Sequence, residues 1–204
     1  GITDSGTLDI RGTTTISASG VDVTLDSAAN NFQAAVKIDG VNVTVVDAGA
    51  IDLGASTVTG TYTVTAGGAV TDSDTLTITG VTTISASSGN VELNTATNDF
   101  LAAVKIEGVN VVVVDANAID LGASTVTGTY AVTATAGGDI TNSGVLAITY
   151  GATFTVAGGQ SITLDQSNTF SSTVAFSSAG TLVGVTITDS TDFDLQALTL
   201  SGNL

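Results

Sequence analysis

The 204-residue chain contains no cysteine, methionine, tryptophan, proline or histidine. No disulfide framework or thiolate metal site is therefore open to it, and its stability has to come from burial and hydrogen bonding. Without histidine or cysteine, the usual general base and the most reactive nucleophile are missing too. Long, straight helix-forming side chains are scarce, with two Glu, two Lys and one Arg in all, which argues against helices. Only three basic residues stand against nineteen acidic ones, for a net charge of −16. Nucleic acid and anionic membrane surfaces need clustered Lys and Arg, so both are disfavoured as partners. No apolar run approaches the ~18 residues of a membrane helix, and no signal peptide is recognisable. The sequence also begins without methionine, so a processed or excised piece of a longer product is expected.

What is present is 43% hydrophobic residues, 24 glycines and a filling of Thr, Ser, Asn and Asp. That is too apolar for disorder. Val, Ile and Thr fit a pleated surface, so the reading is all-β.

The order of the residues is repetitive. "AIDLGASTVTGTY" occupies 50 to 62 and recurs unchanged at 118 to 130. "ITDSGTLDI" at 2 to 10 returns as "VTDSDTLTI" at 70 to 78 and "ITNSGVLAI" at 140 to 148, which sets periods of 68 and 70. The two additional residues are Thr135 and Ala136. A third copy opens with "NTFSSTVAF" at 168 to 176, departs, and rejoins at "DFDLQALTLSG" from 192, an offset of 74 that places about four inserted residues near "SSAGTLV". Three repeats follow, 1–68, 69–138 and 139–204, the third divergent and the array cut short.

Within each repeat, alternating runs of three to six residues are bounded by Gly, Asn, Asp or Ser, the pattern of short strands. Roughly eight or nine strands per repeat, taken three to a coil, predict a parallel β-solenoid of about nine coils of about 22–23 residues, three coils per repeat. At ~4.8 Å per coil the rod would be roughly 43 Å long. A single coil cannot bury its own apolar face, so it needs like side chains stacked above and below. On this reading the thirteen repeated residues are one rung position reused three coils later. Ile51, Leu53, Val58 and Val64 face inward, with Asp52, Thr57, Thr59, Thr61, Thr63 and Thr65 outward. Tyr62 shares the inward parity, and a bend near Gly60 would be needed to place its phenol at a wetter edge; whether Tyr62 and Tyr130 face in or out stays open.

The phrases "NDF…AAVKI", "VNVVVVDANAIDLG", "STVTGTY" and "VTAGGAVTDSDTLTITGVTTISA" resemble the β-strand repeats of large secreted bacterial proteins of the filamentous haemagglutinin type, well over residues 1–148 and loosely beyond. The resemblance implies a right-handed parallel β-helix, exported and displayed as a long rod in adhesion, biofilm or surface-layer roles.

Candidate sites are few. Asp189, Asp192 and Asp194 cluster where "TDSTDFD" breaks the repeat, and paired carboxylates are what a glycosidase needs; the competing reading is a solvated turn. Arg11, Lys37 and Lys105 each lie two residues from an acid, Asp9, Asp39 and Glu107, and read as surface ion pairs worth at most ~1 kcal/mol. Asp47 with Asp52, and Asp115 with Asp120, recur beside turns and offer oxygen ligands to calcium, although no calcium-binding nonapeptide or EF-hand loop is present. A Thr ladder for ice is interrupted, because the coil after Thr13 and Thr15 presents Ala35 and Lys37. No catalytic, cofactor-binding or metal residue is therefore assigned, and no cofactor is expected. The reading is a non-enzymatic structural rod or fibre segment, extracellular or on the bacterial cell surface. It would self-associate end to end into a filament or continue within a giant polypeptide, and surface glycans are a further partner. The alternative is a polysaccharide-active or polysaccharide-binding β-helix protein.

Overall fold

Parallel strands run the whole length of the computed structural model, which describes residues 1–204. Every strand pairing is parallel, and the strands collect into a 12-stranded sheet, a 13-stranded sheet and one short two-stranded ladder. The chain winds back and forth between the two large sheets, which enclose one continuous apolar core of 45 buried residues. This is the all-β parallel solenoid expected from the repeats, with about nine turns and no helix.

Each ordinary coil has a straight side and a bent side. Tyr62–Ala66 is straight, while Val70–Asp72 and Leu76–Ile78 form two limbs of a bent side before Thr82–Ser85 is straight again. Between the terminal strands the inward residues are buried and the outward ones are not, as the parity predicts: Ile51, Leu53, Val58 and Val64 are all fully or nearly fully enclosed. Corners are tight. The Gly80 N–H reaches the Gly60 carbonyl at 3.0 Å, and a Cβ on Gly80 would run into the main chain of Gly60 and Thr61.

The coil length departs from the expected 22–23 residues. Ladder steps range from 17 residues at Val36↔Leu53 and Val104↔Leu121 to 23 at Ile162↔Val185, with about 21 per turn. The short steps have one cause. Val36–Gly40 and Val43–Asp47 are both straight strands, separated only by Val41 and Asn42, and so are Val104–Gly108 and Val111–Asp115. At these two places the coil loses a limb, and the bent side moves to the other sheet.

The repeat therefore spans three and a half turns instead of three. Val43, Tyr62, Thr82 and Val104 are stacked in one sheet, but Val111, the 68-residue equivalent of Val43, stacks on Val91 in the other. The thirteen repeated residues do not share a rung: Ile51–Leu53 lies in one sheet and Ile119–Leu121 in the opposite one. Consecutive units are related by a half-turn about the rod.

Tyr62 and Tyr130, whose direction the sequence leaves open, are wholly internal. No bend at Gly60 moves them out, because Tyr62 sits squarely in the ladder between Val43 and Thr82. Burial holds both phenols well above their usual pKa. Each phenol is directed towards a serine, Ser56 or Ser124, without forming a hydrogen bond; that serine donates to the Gly54 or Gly122 carbonyl and accepts the Ile38 or Ile106 N–H. In the last third, Phe154 meets Tyr130 edge-on with centroids 6.0 Å apart and stacks on Phe176 at 5.8 Å. The second copy carries Ile84 and Ile106 at the positions of Phe154 and Phe176, and the first carries Ile16 and Ile38, so the divergent copy keeps the pattern and enlarges the side chains.

An unpaired buried hydroxyl is unfavourable, whereas the ring itself fills the core. Tyr62→Phe should leave stability unchanged or raise it by up to ~1 kcal/mol, and Tyr62→Ala should lower it by ~3–5 kcal/mol. Urea unfolding midpoints with unchanged slope would check both; a Phe variant less stable by more than ~1 kcal/mol would mean that the hydroxyl is satisfied.

Candidate functional site

The polar residues at inward positions gather at the bends. Asn98 is fully enclosed; its Oδ1 accepts the Leu76 N–H at 2.9 Å and its Nδ2 donates to Asp72 at 2.6 Å. Asn30 repeats this with Leu8 and Asp4 at 2.9 and 2.7 Å. The Asn168 Oδ1 accepts both the Leu146 N–H and the Asn142 Nδ2, each at 2.9 Å, while its own Nδ2 donates to the Leu164 and Thr188 carbonyls at 3.1 Å. A bent side turns the main chain out of the ladder, and one such amide per repeat satisfies groups that the bend leaves unpaired.

Each switch needs two further side chains. Where a limb ends, Asp47 presents a carboxylate in place of the next strand: it accepts the Phe32 N–H at 2.6 Å and the Gly49 N–H at 2.6 Å. Asp115 does the same for Phe100 and Asn117 at 2.8 and 2.6 Å. Where a new bend begins, two residues of the straight strand oppose three. Val36 pairs with Leu53 and Asp39 with Thr57, so Lys37 and Ile38 face Gly54, Ala55 and Ser56. The Ile38 N–H would lose its partner there, and the Ser56 hydroxyl accepts it at 3.0 Å; Ser124 serves Ile106 at 3.0 Å. This is a β-bulge written into the repeat.

Against this frame of caps and bulges, the acidic cluster at the break resolves into separate roles. Asp189 is the third member of the capping series: it accepts the Phe170 N–H at 2.7 Å and the Thr191 N–H at 2.6 Å. Its carboxylate oxygens are taken by main chain, as those of Asp47 and Asp115 are. Asp192 and Asp194 are exposed beyond it. The four inserted residues fall between Thr173–Ser178 and Gly184–Asp189, in the corner that Val41 and Asn42 form elsewhere.

The three expected ion pairs are rearranged. The acids take neutral donors from neighbouring coils: Asp9 accepts Asn31 and Gln33, Asp39 the Thr57 N–H at 3.1 Å, and Glu107 the Ser85 hydroxyl at 3.2 Å. The stems of Lys37 and Lys105 lie over Gly54 and Gly122, where any Cβ would collide with them. Bulge and lysine together form a groove of about 250 Å³ lined by Thr83, Ser85, Lys105, Glu107 and Thr125. A smaller hollow of about 190 Å³ lies where the Phe32 limb stops, beside Ile51, Asp52 and Thr71.

For calcium the geometry is unhelpful. Asp47 and Asp115 are committed to main-chain N–H groups, while Asp52 and Asp120 each hold one enclosed oxygen without a hydrogen-bond partner. No three or more carboxylates gather to hold a metal ion. The Thr ladder breaks as expected, with Thr15 paired to Lys37.

A model of the family described as Repeats of unknown function (DUF5649) matches residues 1–39, 40–107 and 108–177, and the chain belongs to that family. The two full matches begin at the corners where the bent side changes sheets, so the family's unit and the half-turn unit coincide. No curated protein and no solved structure matches.

Asp115 provides a pH test of this frame. Burial pushes its carboxyl up to about 6, against the opposing pull of the Phe100 and Asn117 N–H groups, and Asp99 adds repulsion. The folded chain thus binds this proton more tightly than the unfolded chain, whose carboxyl titrates near 3.8. Asp115 should favour folding below about pH 4, and that contribution should fade as pH rises to about 6. Asp4, held below its ordinary value by Asn30, acts in the opposite sense and destabilises only at lower pH. Asp115→Asn should flatten the stability rise between pH 7 and 4.5 by on the order of 2 kcal/mol, at ~1.36 kcal/mol per pKa unit. Thermal melts of both proteins across that range would show it; parallel curves would mean that Asp115 stays ionised.

Proposed function

We propose that the chain is a stretch of a structural rod, displayed outside a bacterial cell or on its surface, whose work is to span distance and present side chains. The observation that carries this reading is that each 68-residue unit continues both sheets into the next without interruption. The half-turn switch changes the cross-section and caps the limb that ends with Asp47 or Asp115, while both large sheets run on, so further units can be added. The resemblance to haemagglutinin-type repeats supports the extracellular setting, and the high negative charge keeps the acid-bearing faces from non-specific contact.

Ile2–Thr3 at one end and Asp194–Leu195 at the other have no strand paired beyond them, and Gly184–Asp189 is met on its outer side only where the Val185 N–H donates to Asn203 at 3.0 Å. Such edges template a further strand ladder. The next coil comes from the same giant polypeptide or from another subunit stacked end to end. Mass spectrometry of native material under denaturing conditions separates the two: about 19.9 kDa for stacked subunits, many times that for one chain.

A second reading draws on the groove at Lys105 and Glu107. Its hydroxyls, one cation and one anion offer donors and acceptors to a neutral, hydroxyl-rich chain, so polysaccharide binding is the alternative. Retardation of the protein in dextran, amylose or cellulose-derivative gels, lost in Lys105→Ala, would favour it over a purely spanning role.

For the rod itself, appending further 68-residue units should lengthen the particle by about 17 Å each, three and a half turns at ~4.8 Å. Small-angle scattering with a constant cross-section and that increment is expected. A cross-section that grows with unit number would sink the rod.

A further inference from the structure

The charge of this chain is unevenly placed. Acids occupy the corners, the bent sides and the buried caps, while the straight sides carry almost none. On the second sheet, the straight strands Val111–Asp115, Tyr130–Ala134, Ala152–Val156 and Thr173–Ser178 stack in register. Their outward side chains form two rows, Val112, Ala131, Thr153 and Ala175 in one, and a second that opens at Val114 and ends at Ser177. Neither row holds a charge. The face is bounded by Glu92 before it and Asp194 after it, both exposed and each paired to a strand of the face. In the preceding units the last straight strand carries Lys37 with Asp39, or Lys105 with Glu107; here Ala175 and Ser177 replace them. Divergence of the third copy has removed the one charged pair this face would otherwise have.

We propose that this flat, uncharged face is a lateral docking surface for a second copy of the chain. Two rods of net charge −16 repel wherever acids meet acids, and the straight faces are where side-by-side contact escapes that cost. The side chains are short and β-branched or small, so two such sheets can approach at the ~10 Å separation of stacked sheets without large side chains intervening. Area fixes the strength. Four strands about 16 Å long and ~4.8 Å apart cover about 300 Å², well under the ~800 Å² per partner of a stable complex. One face gives weak association, and an array of units adds faces in parallel.

Because consecutive units are turned by half a turn, the straight face alternates between opposite sides of the rod. The first sheet shows the matching stretch at Thr44, Thr63 and Thr83, uncharged until Lys105. Each rod thus meets one neighbour on each side. The product is an open ribbon of parallel rods, not a closed pair.

The absence of native cysteine makes the test direct. Thr153→Cys places a single thiol at the centre of the face, and Thr141→Cys places one at an exposed position on a bent side. Under mild oxidation of the folded chain at near-millimolar concentration, the Thr153→Cys protein is expected to form disulfide dimers about tenfold more readily than the Thr141→Cys protein. Adding Thr133→Asp to the same face should abolish the difference, and mixing Thr133→Asp with Thr133→Lys proteins should restore it, which separates lost docking from lost folding. Equal cross-linking from both thiols would overturn the proposal, as would cross-linking indifferent to Thr133→Asp in a chain that melts normally. So would a chain that stays monomeric in sedimentation at all concentrations yet adsorbs to ice or crystalline cellulose, which would assign the face to an ordered solid instead.

Discussion

Everything in this molecule depends on keeping a parallel ladder in register while the coil changes shape. Main-chain N–H and C=O groups at each level must find partners on the levels above and below. A uniform coil satisfies this by repetition alone. A coil that drops a limb, and regains it on the other side, strands one N–H where the old limb stops and another where the new bend starts. Asp47 and Ser56 answer those two needs in one unit, Asp115 and Ser124 in the next. The third copy keeps the aspartate as Asp189, but has Leu198 where the serine stood.

This explains why the most strictly repeated words of the sequence surround the switch. "VKIDGVNV" and "VKIEGVNV" build two straight strands on a two-residue corner, and "AIDLGAS" supplies the bulge with its serine. Ordinary coils tolerate substitution provided that the inward volumes stay matched, as the replacement of Ile84 and Ile106 by Phe154 and Phe176 shows. The switch tolerates little, because a missing oxygen there leaves a buried donor unsatisfied, at ~1–3 kcal/mol.

Strand alternation, solenoid class and coil number were legible in the sequence because period-two burial is a local signal that reads the same in any coil. The half-turn was not. A repeat period gives the distance between equivalent residues, not the sheet they return to, and 68 residues divide almost as well into three long coils as into three and a half short ones. A clue was present: Asn30, Asn98 and Asn168 sit at inward parity where an apolar side chain belongs, and their spacing marks the bends. The acidic break misled because Asp189 looks like an intruder when aligned by composition. Its kinship with Asp47 and Asp115 emerges only when the inserted corner residues are placed. The direction of the tyrosines was undecided for another reason. A phenol is ordinarily kept near water, and here the demand of the ladder for a large inward side chain outweighed the cost of an unpaired hydroxyl.

Near-identical units in tandem are prone to unequal exchange between their coding segments. In a solenoid with a whole number of turns per unit, losing or gaining one would shorten or lengthen the rod and leave every later surface facing as before. With three and a half turns, the loss of a single unit would rotate the entire remainder of the rod to the opposite side, while the loss of two would restore it. Copy number in such an array carries a parity, and recombination that changes it by one would alter which way the far end of the molecule faces without changing any residue there.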